Sequence, residues 1–371
     1  MLFTFNQKAT YLYDLCMFPK LLYVNPDEIY KLNDVLGDEI METFIDHEAH
    51  INFIKAAKED LEPYKDPLLG FYSEEGIGNY DFPTLLFRSY SFLESKDYRK
   101  YLRIIMQDDE ETIKQNLIFA MLTVEGENDE VSLTKAKIEA EYLVNHRDEL
   151  LNLIRKTPTT ENHRWILMLL IENPKDYLEV YLNLLETIEP LFKKYYNAHL
   201  DKITNFTKDT MAPLEKQGAE AFDQLTYGIV PSDVLEPENT IITSFVNPYR
   251  FSIMTFAEDR VVMWGLDMKY GFQKIAEFEQ DSRKNRAKVF KTLSDETRYE
   301  VLRLIASGTT STKAIATEIG VSSATVTYHI NAFLTAKVIK AERSKDARYV
   351  IDYERLDHLW NDFMNDLKGQ S

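Results

Sequence analysis

Five short polar side chains crowd the start of one predicted helix: Ser322, Ser323, Thr325, Thr327 and Tyr328. Each carries a hydroxyl that can donate and accept, and the pattern turns them outward from the helix N-terminus. Such groups suit base edges and phosphate oxygens, and a helix N-terminus itself attracts phosphate. One helix earlier, Thr312 and Lys313 add a hydroxyl and an ammonium; Arg343, Lys345 and Arg348 follow in a segment with strand-like ends. The chemistry this set fits is contact with double-stranded DNA. Thr325, Thr327 and Tyr328 would touch bases, and Ser322, Ser323, Thr312 and Lys313 would fix phosphates. The three later cations would grip the backbone or minor groove.

These residues need particular elements to hold them. Ser311 can cap a helix from Thr312 to Ile319, where Ile315 and Ile319 sit one turn apart. Gly320 stops it, because glycine tolerates the left-handed backbone of a helix end. Ser322 or Ser323 caps the next helix, in which Val326, Ile330 and Phe333 recur at i, i+4 and i+7. Ala316 is small where two crossing helices must approach. The pattern is a helix-turn-helix. Beyond it, Val338 to Arg343 and Ala347 to Ile351 read as two strands of a hairpin with a basic tip, a wing.

Leu293-Ser294-Asp295-Glu296-Thr297-Arg298, followed by Val301-Leu302-Arg303-Leu304-Ile305, resembles the L-x-D-x-T-R…ILxLL opening of the ArsR-type winged helix-turn-helix regulators. Thr327-Tyr328-His329-Ile330 with Phe333-Leu334 stands where that family has its SHHLxxL recognition helix. The resemblance covers about a fifth of the chain. It departs at Lys337, where the family usually has glycine before the first wing strand, which puts the helix exit in question. It implies a transcription regulator whose terminal helices pair two subunits. Many relatives of this kind sense metals, but the helix around Ser311 to Ile319 has no cysteine. Asp357 and His358 are adjacent, so they point about 100° apart on a helix. No metal or other cofactor is expected.

Charge supports the same reading. Asp281 to Tyr349 holds thirteen Lys and Arg against seven Asp and Glu, a net +6, whereas the whole chain carries −18. The remainder is therefore −24. A positive island in an acidic chain is what phosphate contact needs, and it argues against a winged helix kept only for protein contacts. An acidic remainder would repel a nucleic acid, so it reads as a part for regulation, association or a separate activity. A small organic molecule or a partner protein is the expected effector. The 22 Tyr and 21 Phe could line a pocket or simply fill a core.

Other chemistries find little support. His47 and His50 are three apart in Asp46-His47-Glu48-Ala49-His50, but the H-E-x-x-H spacing and a third ligand are missing, so a solvated polar face is expected. Gly76 and Gly78 precede no Lys-Ser/Thr and do not form a phosphate loop. With no nucleophile elbow and no acid/base pair either, the chain is not expected to be an enzyme, although an enzyme fused to a DNA-binding tail remains the rival class. The longest apolar run, Trp165 to Ile171, is far short of a membrane span. The opening residues lack the features of a signal peptide, and the single cysteine, Cys16, suits a reducing compartment. A cytoplasmic protein is expected.

The fold class expected is mainly α: a helical N-terminal domain with a small antiparallel β segment, then a C-terminal winged helix-turn-helix. The boundaries are 1–225 for a helical regulatory domain, 226–275 for a β connector and 276–371 for the winged module. Leu2, Phe3 and Phe5 suggest a strand. Helices are expected after Asn25-Pro26 (with Ile29, Leu32, Val35 and Leu36), from Asp38 to Ile54, over Thr84 to Met106, Asp109 to Thr123 and Ser132 to Arg155. A buried segment spans His163 to Ile171, and a long helix, bent at Pro190, spans Lys175 to Phe206. Glu62 to Pro83 reads as a loop-rich aromatic connection that packs over the core, and Gly126 to Asp129 as an exposed break. Ile241 to Val246, Arg250 to Phe256 and Arg260 to Trp264 read as strands. In the last helix, Leu356, Leu359, Trp360, Phe363 and Leu367, with Tyr353, form an apolar stripe. A homodimer joined there is expected; packing onto the chain's own N-terminal part would hide the stripe equally well.

Overall fold

Leu2, Phe3 and Phe5 do form a strand, β1 (Leu2–Phe5), but its partner comes from the far end of the helical part. In the computed structural model, which describes residues 1–25, 48–73, 80–95, 97–124, 130–257, 259–280, 282–309, 311–342 and 348–368, β1 runs parallel to β2 (Glu238–Ser244). Two further strands, β3 (Phe251–Phe256) and β4 (Asp259–Gly265), complete a sheet of order β1-β2-β4-β3. The β3–β4 hairpin is antiparallel, with Ile253 opposite Val262; β2 and β4 are parallel, with Ile241 opposite Val262. The strand patterns alone did not show this mixed pairing. Ile241 to Ser244 and Val261 to Gly265 are buried at every position, the continuous burial of strands covered on both faces. Gly265 is required there: a Cβ would stand 2.3 Å from the Pro248 carbonyl oxygen.

The chain divides into two compact units. Among the described residues, the first takes 1–25, those from 48 to 225 and Pro231–Lys269; the second takes Thr226–Val230 and those from Tyr270 onward. The strands expected to form a connector over 226–275 thus lie in the first unit, tied to the N-terminus by β1. That unit is largely helical. The helix α1 (Gln7–Met17) starts where the Asn6 side chain accepts from the Ala9 N–H at 2.9 Å. Then come α2 (Glu48–Leu61), α3 (Phe82–Ser89), α4 (Tyr98–Ile105), α5 (Glu110–Thr123), α6 (Glu130–Leu143), α7 (Arg147–Lys156), α8 (Glu161–Glu172), α9 (Pro174–Ala198) and α10 (Leu200–Phe206).

Three expected helices are each broken in two. Thr84 to Met106 becomes α3 and α4, because Tyr90 is extended and Asp97 caps a new start, its carboxylate accepting from the Lys100 N–H. Ser132 to Arg155 becomes α6 and α7, with the His146 ring stacked on Tyr142 at the break. Lys175 to Phe206 breaks at His199, whereas Pro190 lies inside α9. The segment His163 to Ile171 is amphipathic rather than wholly buried: His163, Leu167, Leu170 and Ile171 face the core and Trp165 is 57% exposed. The helix starts expected at Asn25-Pro26 and Asp38, His47, Gly76 and Gly78, and the break at Gly126 lie wholly or largely outside the described residues.

Aromatic side chains fill this core, as in the contacts of Phe71, Phe82 and Tyr181. Glu189 fastens three helices: it accepts from the hydroxyls of Tyr11 and Tyr98 and from Arg99, and pairs with Lys193. Asp14, fully buried on α1, accepts from the Ser244 hydroxyl and the Phe245 N–H and so holds the end of β2. His50 is buried against Phe53 and Tyr249 rather than on a solvated face. Among the described residues, no three His, Cys, Asp or Glu side chains gather as a metal group, and no helix is long and apolar enough to cross a membrane.

Candidate nucleic-acid interface

The second unit builds its site on local caps. The helix α11 (Ser282–Leu293) leads to α12 (Glu296–Ala306), whose start is fixed by the Asp295 carboxylate accepting from the Arg298 N–H at 2.8 Å. Next comes α13 (Thr312–Ile319), capped by Ser311, which accepts from the Ala314 N–H. Gly320 ends it in the left-handed region at φ 72°. The Ser322 hydroxyl then accepts from the Thr325 N–H at 3.0 Å and starts α14 (Ser323–Thr335). Ile315, Ala316, Val326, Ile330 and Phe333 all face one core, joined by Val289, Val301, Leu304, Ile305, Val338 and Leu359. The helix-turn-helix stands as its spacing indicates.

The helix exit holds a surprise at Lys337. Its φ is +53°, the left-handed conformation that glycine adopts most readily. The Lys337 N–H donates to the Leu334 carbonyl and the Val338 N–H to the Phe333 carbonyl, which together form a Schellman end. The backbone geometry that glycine serves is therefore kept, by a residue that is strained in it. The wing strands β5 (Ile339–Glu342) and β6 (Arg348–Ile351) pair antiparallel from Ile339 opposite Ile351 to Glu342 opposite Arg348. Arg348 thus stands at the tip end of β6. Arg343 and Lys345 lie outside the described residues.

The hydroxyls of α14 divide by what already engages them. Ser322 and Thr325 are bonded to one another at 2.8 Å as well as through the cap, so both serve the helix start. Ser323 is half-buried and its carbonyl accepts from the Thr327 hydroxyl. Thr327 is exposed, and Tyr328 is 48% exposed. Lys313 is exposed on α13, and Thr312 beside it is half-buried.

Arg298 was not picked out as a site residue. Its guanidinium carbon lies 5.7 Å from the Tyr328 ring centre, within cation–π range. Its Nε donates to His329 Nδ1 at 3.4 Å, so the proton of the neutral imidazole sits on Nε2. Burial, and then the Arg298 charge, hold His329 below the usual histidine value, with Asp295 opposing. Arg298 on α12 therefore orients two successive residues of α14, one buried and one exposed. The signal available in the sequence was the Thr-Arg pair of the ArsR-like opening.

The last helix, α15 (Tyr353–Leu367), packs on α11: Leu359 is buried, and Phe290 meets Phe363 edge-on at 4.8 Å. Arg286 reaches Asp362 at 3.9 Å. Of the expected dimer residues, Leu356 and Phe363 are half-buried here, and Trp360 and Leu367 are exposed.

The family described as a helix-turn-helix domain matches residues 293–340, from the end of α11 into β5. No curated protein and no solved structure matches the chain.

Proposed function

We propose that this chain is a sequence-specific transcription regulator of ArsR type, acting in the cytoplasm. Its helix α14 enters the major groove, and its acidic first unit tunes the outcome through a bound small molecule or partner protein. The observation that carries this reading is the pairing of exposed Tyr328 with Arg298, next to exposed Thr327, on a capped helix within a segment of net +6. Thr327 and Tyr328 read bases. Ser323, Thr312 and Lys313 engage phosphates, Ser322 fixes the helix start beside them, and Arg343, Lys345 and Arg348 hold the backbone beside the groove.

The working form is a homodimer. Tyr353, Trp360 and Leu367 recur every seven residues on α15 and are 65%, 54% and 69% exposed. Leu356 and Phe363 fall between them, giving the seam that a second copy of the helix would cover. A symmetric pair can then read two half-sites roughly 34 Å apart. The chain is a binding protein rather than an enzyme. Selection of bound sequences from random duplex DNA at low ionic strength tests the reading: an enriched, two-fold symmetric motif is expected, and no retained duplex would end it.

A further inference from the structure

The outward side of α14 carries more than the hydroxyls at its start. Val326, His329, Ile330 and Phe333 are buried and mark the inner face of the helix. At about 100° per residue, the direction opposite them passes within about 30° of Ala324, Tyr328, Asn331 and Thr335, with Thr327 about 70° to one side. The Thr335 hydroxyl is taken up by the helix itself, donating to the Asn331 carbonyl at 2.7 Å. The Asn331 side chain is not. It is half-buried, yet no described residue hydrogen-bonds its amide. An amide partly screened from water and left without a protein partner is one that an outside ligand can complete. Ala324, exposed about two turns earlier on the same side, has nothing beyond Cβ to hold such a ligand away.

We infer that Asn331 reads adenine in the major groove, its Oδ1 accepting from the N6 amino group and its Nδ2 donating to N7. The inference rests on the DNA-binding reading above and adds the base that is preferred. A side-chain amide offers one acceptor and one donor side by side, the complement of the adenine edge. Guanine presents two acceptors there, O6 and N7, so Oδ1 would face a lone pair. Cytosine and thymine each offer a single polar group at that edge, and half of the amide would go unmatched. A hydroxyl such as that of Thr327 can serve as either partner and discriminates less.

The test is selection of bound duplexes by the full chain, followed by titration of the selected site. The parent should prefer adenine at one position of each half-site by about ten-fold or more, the size expected of a bidentate contact. Asn331→Ala should bring that preference below about two-fold and leave the other positions unchanged. Its thermal midpoint should not move, because the side chain faces outward. Replacing that adenine by 7-deazaadenine, which lacks the N7 acceptor, removes one of the two hydrogen bonds. Parent binding should weaken about three- to ten-fold, and binding by Asn331→Ala by less than about two-fold. A residue that only shapes the helix would not show this coupling. If the parent retains no duplex, the regulator reading falls and this inference with it. If the parent selects a motif that Asn331→Ala reproduces in full, or if both proteins lose equally to 7-deazaadenine, the inference alone is overturned.

Discussion

Replacing Lys337 by glycine should stabilise the winged module, although it removes a side chain and shortens no loop. Lys337 holds φ at +53° at the end of α14, with the two hydrogen bonds of a Schellman end fixing it there. A left-handed backbone costs a residue with a Cβ roughly 1–2 kcal/mol. Glycine removes that strain but has more freedom to lose on folding, which takes back roughly 0.4–1 kcal/mol. The net gain expected is about 0.5–1 kcal/mol. Peptide-resolved hydrogen exchange on the full chain reads this change where it acts. Amides of Val326 to Val338 should exchange about two- to five-fold more slowly in Lys337→Gly, since about 1.4 kcal/mol corresponds to ten-fold. Peptides from α9 should not change. Lys337→Ala is the control: it deletes the same side chain but keeps a Cβ in the same backbone region, so no slowing is expected. If the alanine variant slows exchange as much as glycine does, or if glycine slows nothing, the backbone at 337 is not strained and this account of the helix exit is wrong.

Other expectations concern charge and burial. Arg298→Gln should raise the His329 pKa toward the ordinary value of about 6.5, read by NMR titration, and should weaken selected DNA through Tyr328; an unmoved His329 would separate the two residues. Because neutral His329 is the form that accepts from Arg298, the winged module should lose stability as pH falls through about 6.5, where the unfolded chain takes up its proton first. Burial pushes the Asp14 carboxyl up to about 7 against the pull of its hydrogen bonds, so its contribution runs the other way. The folded first unit keeps a proton that the unfolded chain releases near pH 4, and stability falls as pH rises from about 4 to about 7. Urea midpoints of Asp14→Asn against the parent should show that slope removed, with the opposed titrations of His163 and His199 common to both proteins. Glu189→Ala should cost about 2 kcal/mol, because it strands the Tyr11 and Tyr98 hydroxyls while Arg99 keeps its pair with Glu186; a loss below about 0.5 kcal/mol would show the cluster to be ornamental.

What the sequence made legible was the part governed by neighbours along the chain. Ser311, Gly320 and Ser322 each act within four positions, and all three do what their side chains dictate. The breaks at Tyr90 and Val144 were missed because buried residues continue on either side of them, so apolar spacing runs on through the interruption. Asp97 carried the cap signature that could have found the first. The parallel pairing of Leu2 with Glu238 has no local cause at all; it follows from the helices that must first bring those strands together. Arg298 escaped for the same reason, since its partners lie one helix crossing away. Five hydroxyls at the start of α14 looked equivalent in sequence, and only their geometry separates those engaged in capping from those turned outward.

That separation has a consequence for recognition. The helix α14 contains no lysine or arginine between Ser323 and Thr335. Attraction to phosphate must then come from neighbouring elements: Lys313 on α13, Lys340 on β5 and the basic wing. Thr327, with an acceptor and a methyl group, and Tyr328, with a ring and a hydroxyl, can discriminate bases but add little long-range pull. In the proposed complex, affinity and specificity are therefore carried by different elements of one module. Such a division suits an acidic chain. At physiological salt, charges more than about 8 Å apart are largely screened, so a local +6 can hold a duplex even though the rest of the protein carries −24.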